Sequence, residues 1–166
     1  MKKFIYLFAL LLFHLFSCNQ EDQLPLSFLD GTYERANENT DTGLWYIQQL
    51  IFSADGSLTQ QTLVRNSRDG EDLGWYSYST ARYQLRGEEY TIDTESHYRL
   101  EFESEEPYVA QEELVLEEGY SPDPQIGSLR ELDSGQKIAI AFPCNDTPGL
   151  GISSNCIGEL EYERVD

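Results

Sequence analysis

The chain has 166 residues, which is long enough for one domain with a sizeable hydrophobic core. Its 25% charged and 13% aromatic residues are typical of a globular protein and not of a disordered one. Acidic residues outnumber basic residues by 30 to 11, and the formal net charge is -19. This charge repels phosphate backbones and anionic lipid headgroups, which argues against nucleic acid as a partner and against adsorption to a membrane surface.

Residues 1–17 have the pattern of a secretory signal peptide. Lys2 and Lys3 precede an uninterrupted apolar run from Phe4 to Phe13, and the small residue Ser17 ends the segment. The run is too short for a membrane-spanning helix, which needs about 20 apolar residues. A short hydrophobic core helix is the alternative, although the run contains no polar residue that would give such a helix two faces. We therefore expect export from the cytoplasm.

The end of this segment, Leu15-Phe16-Ser17-Cys18, resembles the bacterial lipobox, with a bulkier residue than usual at Phe16. The resemblance implies that residues 1–17 are removed and that Cys18 carries a diacylglycerol and an N-acyl chain. No other cofactor is expected. Burial of acyl chains contributes about 0.8 kcal/mol per CH₂, so two or three chains give a stable anchor where one is marginal.

Residues 18–27 form the predicted acylated N-terminus and tether. The polar stretch Asn19-Gln20-Glu21-Asp22-Gln23 resembles the export signal of surface-exposed lipoproteins in the Bacteroidetes group. It implies an outer-membrane lipoprotein whose body faces either the periplasm or the cell surface. The alternative is that the stretch serves only as a solvated tether.

Three cysteines are an odd number for an exported protein. With Cys18 lipidated, Cys144 and Cys156 remain, and they flank the loose sequence NDTPGLGISSN. An oxidising compartment would allow these two residues to form a disulfide, which contributes on the order of 3 kcal/mol. Two free buried thiols are the alternative.

From residue 28 onward, runs rich in Tyr, Ile, Val, Thr and Phe alternate with turn residues, which is typical of all-β proteins. Asp55-Gly56 in ADGS predicts a hairpin turn between two of these runs. Segment 108–118 is predicted as a strand, with a short helix as the alternative. The predicted strands lie, in chain order, in GTYERA, LWYIQQLIFS, LTQQTLVRN, WYSYSTARYQLR, EYTID, HYRLEFE, EELVLE, SLRELD, KIAIAFP and IGELEYERV.

Alternation within these runs predicts one dry and one wet face for each strand. Ala81, Tyr83 and Leu85 fall on one face of their strand, and Leu160 and Tyr162 on one face of theirs. In HYRLEFE the same rule places Tyr98, Leu100 and Phe102 on the dry face and His97, with Arg99, on the wet face.

The number and spacing of the strands predict an all-β fold, an antiparallel up-and-down barrel of about 8–10 strands, with a β-sandwich as the alternative. The sequences LDGTYERA, LIFSADGSLTQ and GELEYERV resemble the lipocalin-like domains of Bacteroidetes lipoproteins, although Thr32-Tyr33 replaces the usual Trp after the first Gly. The resemblance covers residues 29–166 and implies that the predicted domain, residues 28–166, is a lipocalin-like barrel with a cup for a small or apolar ligand.

No catalytic site is predicted. The sequence contains no G-x-S-x-G elbow, P-loop or dinucleotide fingerprint, and His97 is the only histidine beyond the signal peptide. An enzyme would require acidic residues to converge with His97 in one cleft.

A weak candidate for a metal site is the turn NSRDGEDLG, whose side chains supply hard oxygen ligands of the kind that calcium prefers. Its spacing differs from that of an EF-hand, and a charged hairpin turn is the alternative. The candidate ligands are Asn66, Asp69, Glu71 and Asp72.

Aromatic side chains are the candidate ligand-binding residues, since they line apolar pockets and stack on sugar rings. Filling of the barrel interior is the alternative role. Trp75 and Tyr76 are neighbours in a strand, so one of them should face outward. The candidates are Trp45, Trp75, Tyr83, Tyr90 and Tyr98.

The sequence therefore predicts a lipid-anchored extracytoplasmic β-barrel that binds a small apolar ligand or a surface partner and has no enzymatic activity. One alternative is an accessory subunit of an outer-membrane glycan-uptake complex or other surface assembly, and a second alternative is an enzyme. The predicted partners of the protein are the outer membrane, through the lipid anchor, and a small apolar ligand, a glycan or a surface protein complex.

Overall fold

A computed structural model describes residues 28–120, 122–143 and 158–166. It contains nine strands and two 3₁₀ turns within these ranges, the turns at Gln111–Glu113 and Asp133–Gly135. The strands are β1 Gly31–Asn39, β2 Leu44–Phe52, β3 Ser57–Arg65, β4 Asp72–Arg86, β5 Glu89–Arg99, β6 Val115–Leu116, β7 Gln125–Leu132, β8 Lys137–Ala141 and β9 Leu160–Arg164.

Eight of the strands close into an antiparallel barrel. The order is β1-β2-β3-β4-β5-β7-β8-β9, and β9 pairs with β1 through Tyr33 opposite Arg164. The short strand β6 lies outside this ring and pairs with the end of β5. The predicted lipocalin-like up-and-down barrel is thus confirmed, and the sandwich alternative is wrong.

The turns follow from local backbone chemistry. Gly56 adopts a φ of 83° between β2 and β3, as the ADGS prediction requires, and Gly87 adopts 61° between β4 and β5. The Asp55 carboxylate accepts hydrogen bonds from both the backbone N–H and the hydroxyl of Ser57, which closes the first of these turns.

Several predictions on segment 89–118 are wrong. EYTID and HYRLEFE form the single strand β5, which ends at Arg99, so Leu100 and Phe102 lie beyond it. Segment 108–118 is neither a full strand nor an α-helix, because it holds one 3₁₀ turn and the two-residue strand β6. Phe102, predicted on a dry face, is 88% exposed.

One end of the barrel is filled by a close-packed apolar core. Phe52 is central: its ring lies 5.0 Å from that of Tyr83 and 5.8 Å from that of Tyr33, both edge to face. Leu29, in front of β1, is fully buried against this core. The other core side chains are Leu50, Leu58, Ala81, Leu85, Tyr90, Ile92, Leu129, Ile138, Ile140 and Tyr162.

Segment 108–114, which we call the strap, is joined to β4 by an isolated antiparallel bridge between Trp75 and Val109. The backbones of Trp75 and Val109 exchange hydrogen bonds of 2.8 and 3.0 Å. Gly74 permits this close approach, because a Cβ atom there would lie 2.7 Å from the carbonyl oxygen of Val109.

Among the residues that the structure describes, no helix has the length and apolar character needed to cross a membrane.

Candidate ligand-binding cup

The barrel interior is polar beyond the apolar core. The strands that carry core residues continue with amides and hydroxyls on the same inward face: Leu58 is followed by Gln60 and Thr62, and Ala81 is preceded by Ser79 and Ser77. These side chains surround a cavity of about 250 Å³, which we call the cup. Leu50, Leu160 and the ring of Tyr162 give it an apolar floor.

Ser79 and His97 form the best-defined pair in the cup. They are opposite each other in the β4–β5 pairing, and Ser79 Oγ lies 2.7 Å from His97 Nδ1. Ser79 is 6% exposed. On the other side of the imidazole, Nε2 lies 3.9 Å from a carboxylate oxygen of Glu117, and the ring packs on Tyr120 with 4.8 Å between ring centroids.

The prediction that His97 lies on the wet face is wrong, and a β-bulge explains the error. Thr80 pairs with Ser96 while the next residue, Ala81, pairs with Thr94, so Glu95 is an extra residue in β5. One extra residue reverses which side chains face inward. His97 therefore points into the barrel, and Tyr98, predicted on the dry face, points outward.

Burial sets the protonation state of His97. Desolvation lowers the pKa of the imidazole below its ordinary value, Arg99 lowers it further, and Glu117 opposes the shift. The cup is thus lined by a neutral imidazole at pH 7, together with neutral amides and hydroxyls.

Gln48 is held in place by two neighbours. Its side-chain oxygen accepts a hydrogen bond of 3.1 Å from the Arg35 guanidinium and one of 3.5 Å from the Tyr162 hydroxyl. The amide oxygen is therefore occupied, and its N–H groups remain as donors.

Three further cup side chains, Gln60, Thr62 and Ser77, form no hydrogen bond with any side chain or backbone group of the described residues. Polar groups in a cavity bind water or a ligand when the protein does not satisfy them. The cup therefore offers several unoccupied donors and acceptors above an apolar floor.

The structure does not bring the five predicted aromatic residues together. Tyr83 and Tyr90 lie in the core, 2% and 0% exposed, with 6.5 Å between their ring centroids. Trp45 is paired with Glu38 and Arg65 and lies on the face of β2 opposite to Gln48. Trp75 and Tyr98 each lie within about 6 Å of the Tyr78 ring, on the outside of the barrel. Of the two neighbours in GWYSY, Trp75 is therefore the one that faces outward. Tyr76 is 43% exposed and packs edge to face on Tyr46, with 5.3 Å between ring centroids.

The turn with Asn66, Asp69, Glu71 and Asp72 is a charged hairpin turn in which the Asp72 carboxylate accepts a hydrogen bond of 2.6 Å from Arg65. In the described part of the chain, no three His, Cys, Asp or Glu side chains are close enough together to hold a metal ion. Cys18, Cys144 and Cys156 lie outside the described residues, so the anchor and the disulfide remain predictions.

The cup residues were missed by sequence reasoning, because Gln, Thr and Ser in a strand are usually read as its solvent face. A signal was present: Gln48, Gln60 and Ser79 share the periodicity of the core residues Leu50, Leu58 and Ala81 in their strands. Polar residues in phase with the core indicate an interior cavity.

No protein-family model matches the sequence, and no curated protein and no solved structure is significantly similar to it.

Proposed function

We propose that this protein is a lipid-anchored, extracytoplasmic binding module that takes one small ligand into the cup. The sequence predicts a small apolar ligand or a surface partner. The polar lining favours a ligand that forms several hydrogen bonds and has one apolar face, as a neutral polyol or a single sugar ring does. The observation that supports this most directly is the set of unoccupied polar groups, Gln60, Thr62 and Ser77, above Leu50 and Leu160.

Size and charge narrow the ligand class. The cup has the volume of about eight water molecules at about 30 Å³ each. Among the described residues, two guanidinium groups lie beside it. That of Arg35 donates a hydrogen bond to Gln48 and that of Arg99 is paired with Glu117, so an anionic ligand has no unpaired counter-ion there. A purely apolar ligand would bury the free amide and hydroxyls without partners, which costs about 1–3 kcal/mol for each group.

The anchor gives this module its location. We propose that Cys18 is lipidated and that residues 18–27 connect the membrane to the barrel. Ten extended residues reach about 35 Å, far enough for the cup to clear the lipid headgroups. Replacement of Cys18 by Ser should abolish incorporation of labelled palmitate and release the protein from the membrane fraction. Retention of label in Cys18→Ser would refute the anchor.

Binding is tested by calorimetric titration of the purified full chain with neutral monosaccharides and polyols, and in parallel with fatty acids. We expect saturable binding of a member of the first group. Gln60→Leu should weaken it about tenfold or more by removing unoccupied donors and an acceptor from the cup. Gln84→Leu, an exposed position on β4, is the matched control and should bind normally. Binding of fatty acids alone, or equal effects of the two substitutions, would contradict the proposal.

A further inference from the structure

A second cavity lies outside the barrel, between the strap and the outer faces of β4 and β5. It is an open groove of about 500 Å³. Tyr78 and Tyr98 line it from the sheet, and Gln111, Glu112 and Leu114 line it from the strap. The groove and the cup lie on opposite faces of the same two strands and share no lining residue.

The sheet side of the groove is aromatic. Tyr78 and Tyr98 are opposite each other in the β4–β5 pairing, with ring centroids 6.1 Å apart and planes inclined by 55°. Trp75 packs against Tyr78 at 6.0 Å and supports it. Two rings inclined in this way present walls to one small group, and a cation within about 6 Å of an aromatic centroid is attracted by the electrons of the ring.

The two hydroxyl groups next to the tyrosine rings already have hydrogen-bond partners. The hydroxyls of Thr80 and Ser96, which also line the groove, are 2.7 Å apart and bond to each other. The Glu112 carboxylate, by contrast, forms no ion pair or hydrogen bond with any other described residue. Among the described residues that line the groove, Glu112 alone carries a charge.

Charge decides which ligand this groove favours. Residues 101–118, which include the strap, contain eight Glu and no Lys or Arg. The whole chain, this segment included, has a net charge of -19. The field at the groove therefore attracts cations and repels anions, and an uncharged apolar ligand would leave Glu112 without a partner as it loses water.

We propose that the outer groove binds an organic cation, with an alkylammonium group held against the rings of Tyr78 and Tyr98 and the Glu112 carboxylate as its counter-ion. The aromatic walls supply shape and cation–π attraction, and the carboxylate supplies charge. The strap completes the site, since Gln111, Glu112 and Leu114 all belong to it. This site is independent of ligand binding in the cup.

The test compares choline with 3,3-dimethylbutan-1-ol, a neutral molecule of the same shape, by calorimetric titration of the purified full chain in detergent. We expect saturable choline binding and at least about tenfold weaker binding of the alcohol, since the charge carries the attraction. Choline binding should also weaken as salt concentration rises. Equal affinity for both compounds, or no saturable choline binding, would overturn the proposal, and neither result depends on a variant that must fold.

Variants then locate the site. Glu112→Gln should weaken choline binding about tenfold, whereas Glu118→Gln, which removes the same charge from an exposed position outside the groove, should not. Tyr98→Leu should also weaken it, and Tyr78→Leu provides a second ring variant if the first does not fold by circular dichroism. Equal losses in the two glutamine variants would show attraction by net charge only and would refute the groove. The cup variant Gln60→Leu should bind choline normally, so failure of one proposal leaves the other testable.

Discussion

Ser79 and His97, eighteen residues apart in sequence, are joined by a 2.7 Å contact between Oγ and Nδ1 inside the barrel. The next rung of the same pairing joins Thr80 to Ser96, also at 2.7 Å, but on the outside. The two strands β4 and β5 thus carry one hydroxyl-bearing pair into the cup and the next into the outer groove. The bulge at Glu95 determines which residues of β5 face inward, because the extra residue shifts the alternation of side chains by one position.

The protonation of His97 predicts how stability depends on pH. Because burial lowers the pKa of His97 in the folded state, the unfolded chain takes up a proton at a higher pH than the folded chain does. The stability linked to the neutral imidazole is complete above the unfolded pKa of about 6.5 and is lost as the pH falls through the folded value. Glu117, Arg99, Ser79 and the Tyr120 ring are the groups that contact or face it.

His97→Gln removes this titration. We expect the free energy of unfolding of the native protein to fall more steeply than that of His97→Gln between about pH 7 and pH 5, so that the gap between them narrows toward acid. Urea denaturation at a series of pH values measures both. The carboxylates titrate alike in the two proteins, so parallel curves would show that His97 is not held neutral.

Arg65 connects the barrel wall to the β3–β4 turn. Its guanidinium lies 3.1 Å from Glu34 and 2.6 Å from Asp72, and its side chain is 13% exposed. Arg65→Met should lower the free energy of unfolding by about 3 kcal/mol, because it leaves the poorly exposed Glu34 carboxylate without its cation. Denaturation with an unchanged m-value measures the loss.

The control for this prediction is the solvent-exposed ion pair between Arg68 and Glu163, which spans 3.1 Å with side chains 58% and 50% exposed. Arg68→Met should change stability by less than about 1 kcal/mol, because water screens such pairs. Equal losses in Arg68→Met and Arg65→Met would mean that burial of Arg65 adds nothing to its ion pairs.

The barrel itself was predictable from sequence because its signals are local. Turn residues such as Asp55-Gly56, and alternation such as Ala81, Tyr83 and Leu85, fix hairpins and the inward face one strand at a time. Each antiparallel neighbour then follows along the chain, and closure needs only that the last strand meet the first.

The cup and the groove were not predictable in the same way. Alternation counted from Tyr90 and Ile92 places Tyr98 inside, and one extra residue, Glu95, reverses that result without any Gly or Pro to mark it. The position of the strap depends on contacts between Gly74 and residues 108–109, which are distant in sequence. The periodicity of a single strand reveals neither the bulge at Glu95 nor the contact between the strap and Gly74.

Replacement by Phe should affect stability differently at two core tyrosines that lie close together, Tyr83 and Tyr90. The Tyr90 hydroxyl is buried and has no hydrogen-bond partner among the described residues, whereas the Tyr83 hydroxyl donates to the Ser53 carbonyl at 3.0 Å. Tyr90→Phe should leave stability unchanged or raise it by about 1 kcal/mol, and Tyr83→Phe should lower it by about 1 kcal/mol. Thermal unfolding compares them. A loss of stability in Tyr90→Phe would show that its hydroxyl is bonded to a group outside the described residues.

The close approach of the strap to Gly74 predicts that a single methyl group disturbs the groove. In Gly74→Ala the new Cβ would lie 2.7 Å from Val109 O and 2.7 Å from the Tyr108 ring, so the strap must move away from β4. We expect faster cleavage of segment 101–118 by a glutamate-specific protease, a shifted Trp75 emission in a Trp45→Phe background, and weaker choline binding. Gly158→Ala places its methyl group in open space and is the matched control. Equal protease sensitivity of the two variants would mean that the Gly74 contact does not hold the strap, whereas cup binding should be normal in both because the cup shares no residue with the groove.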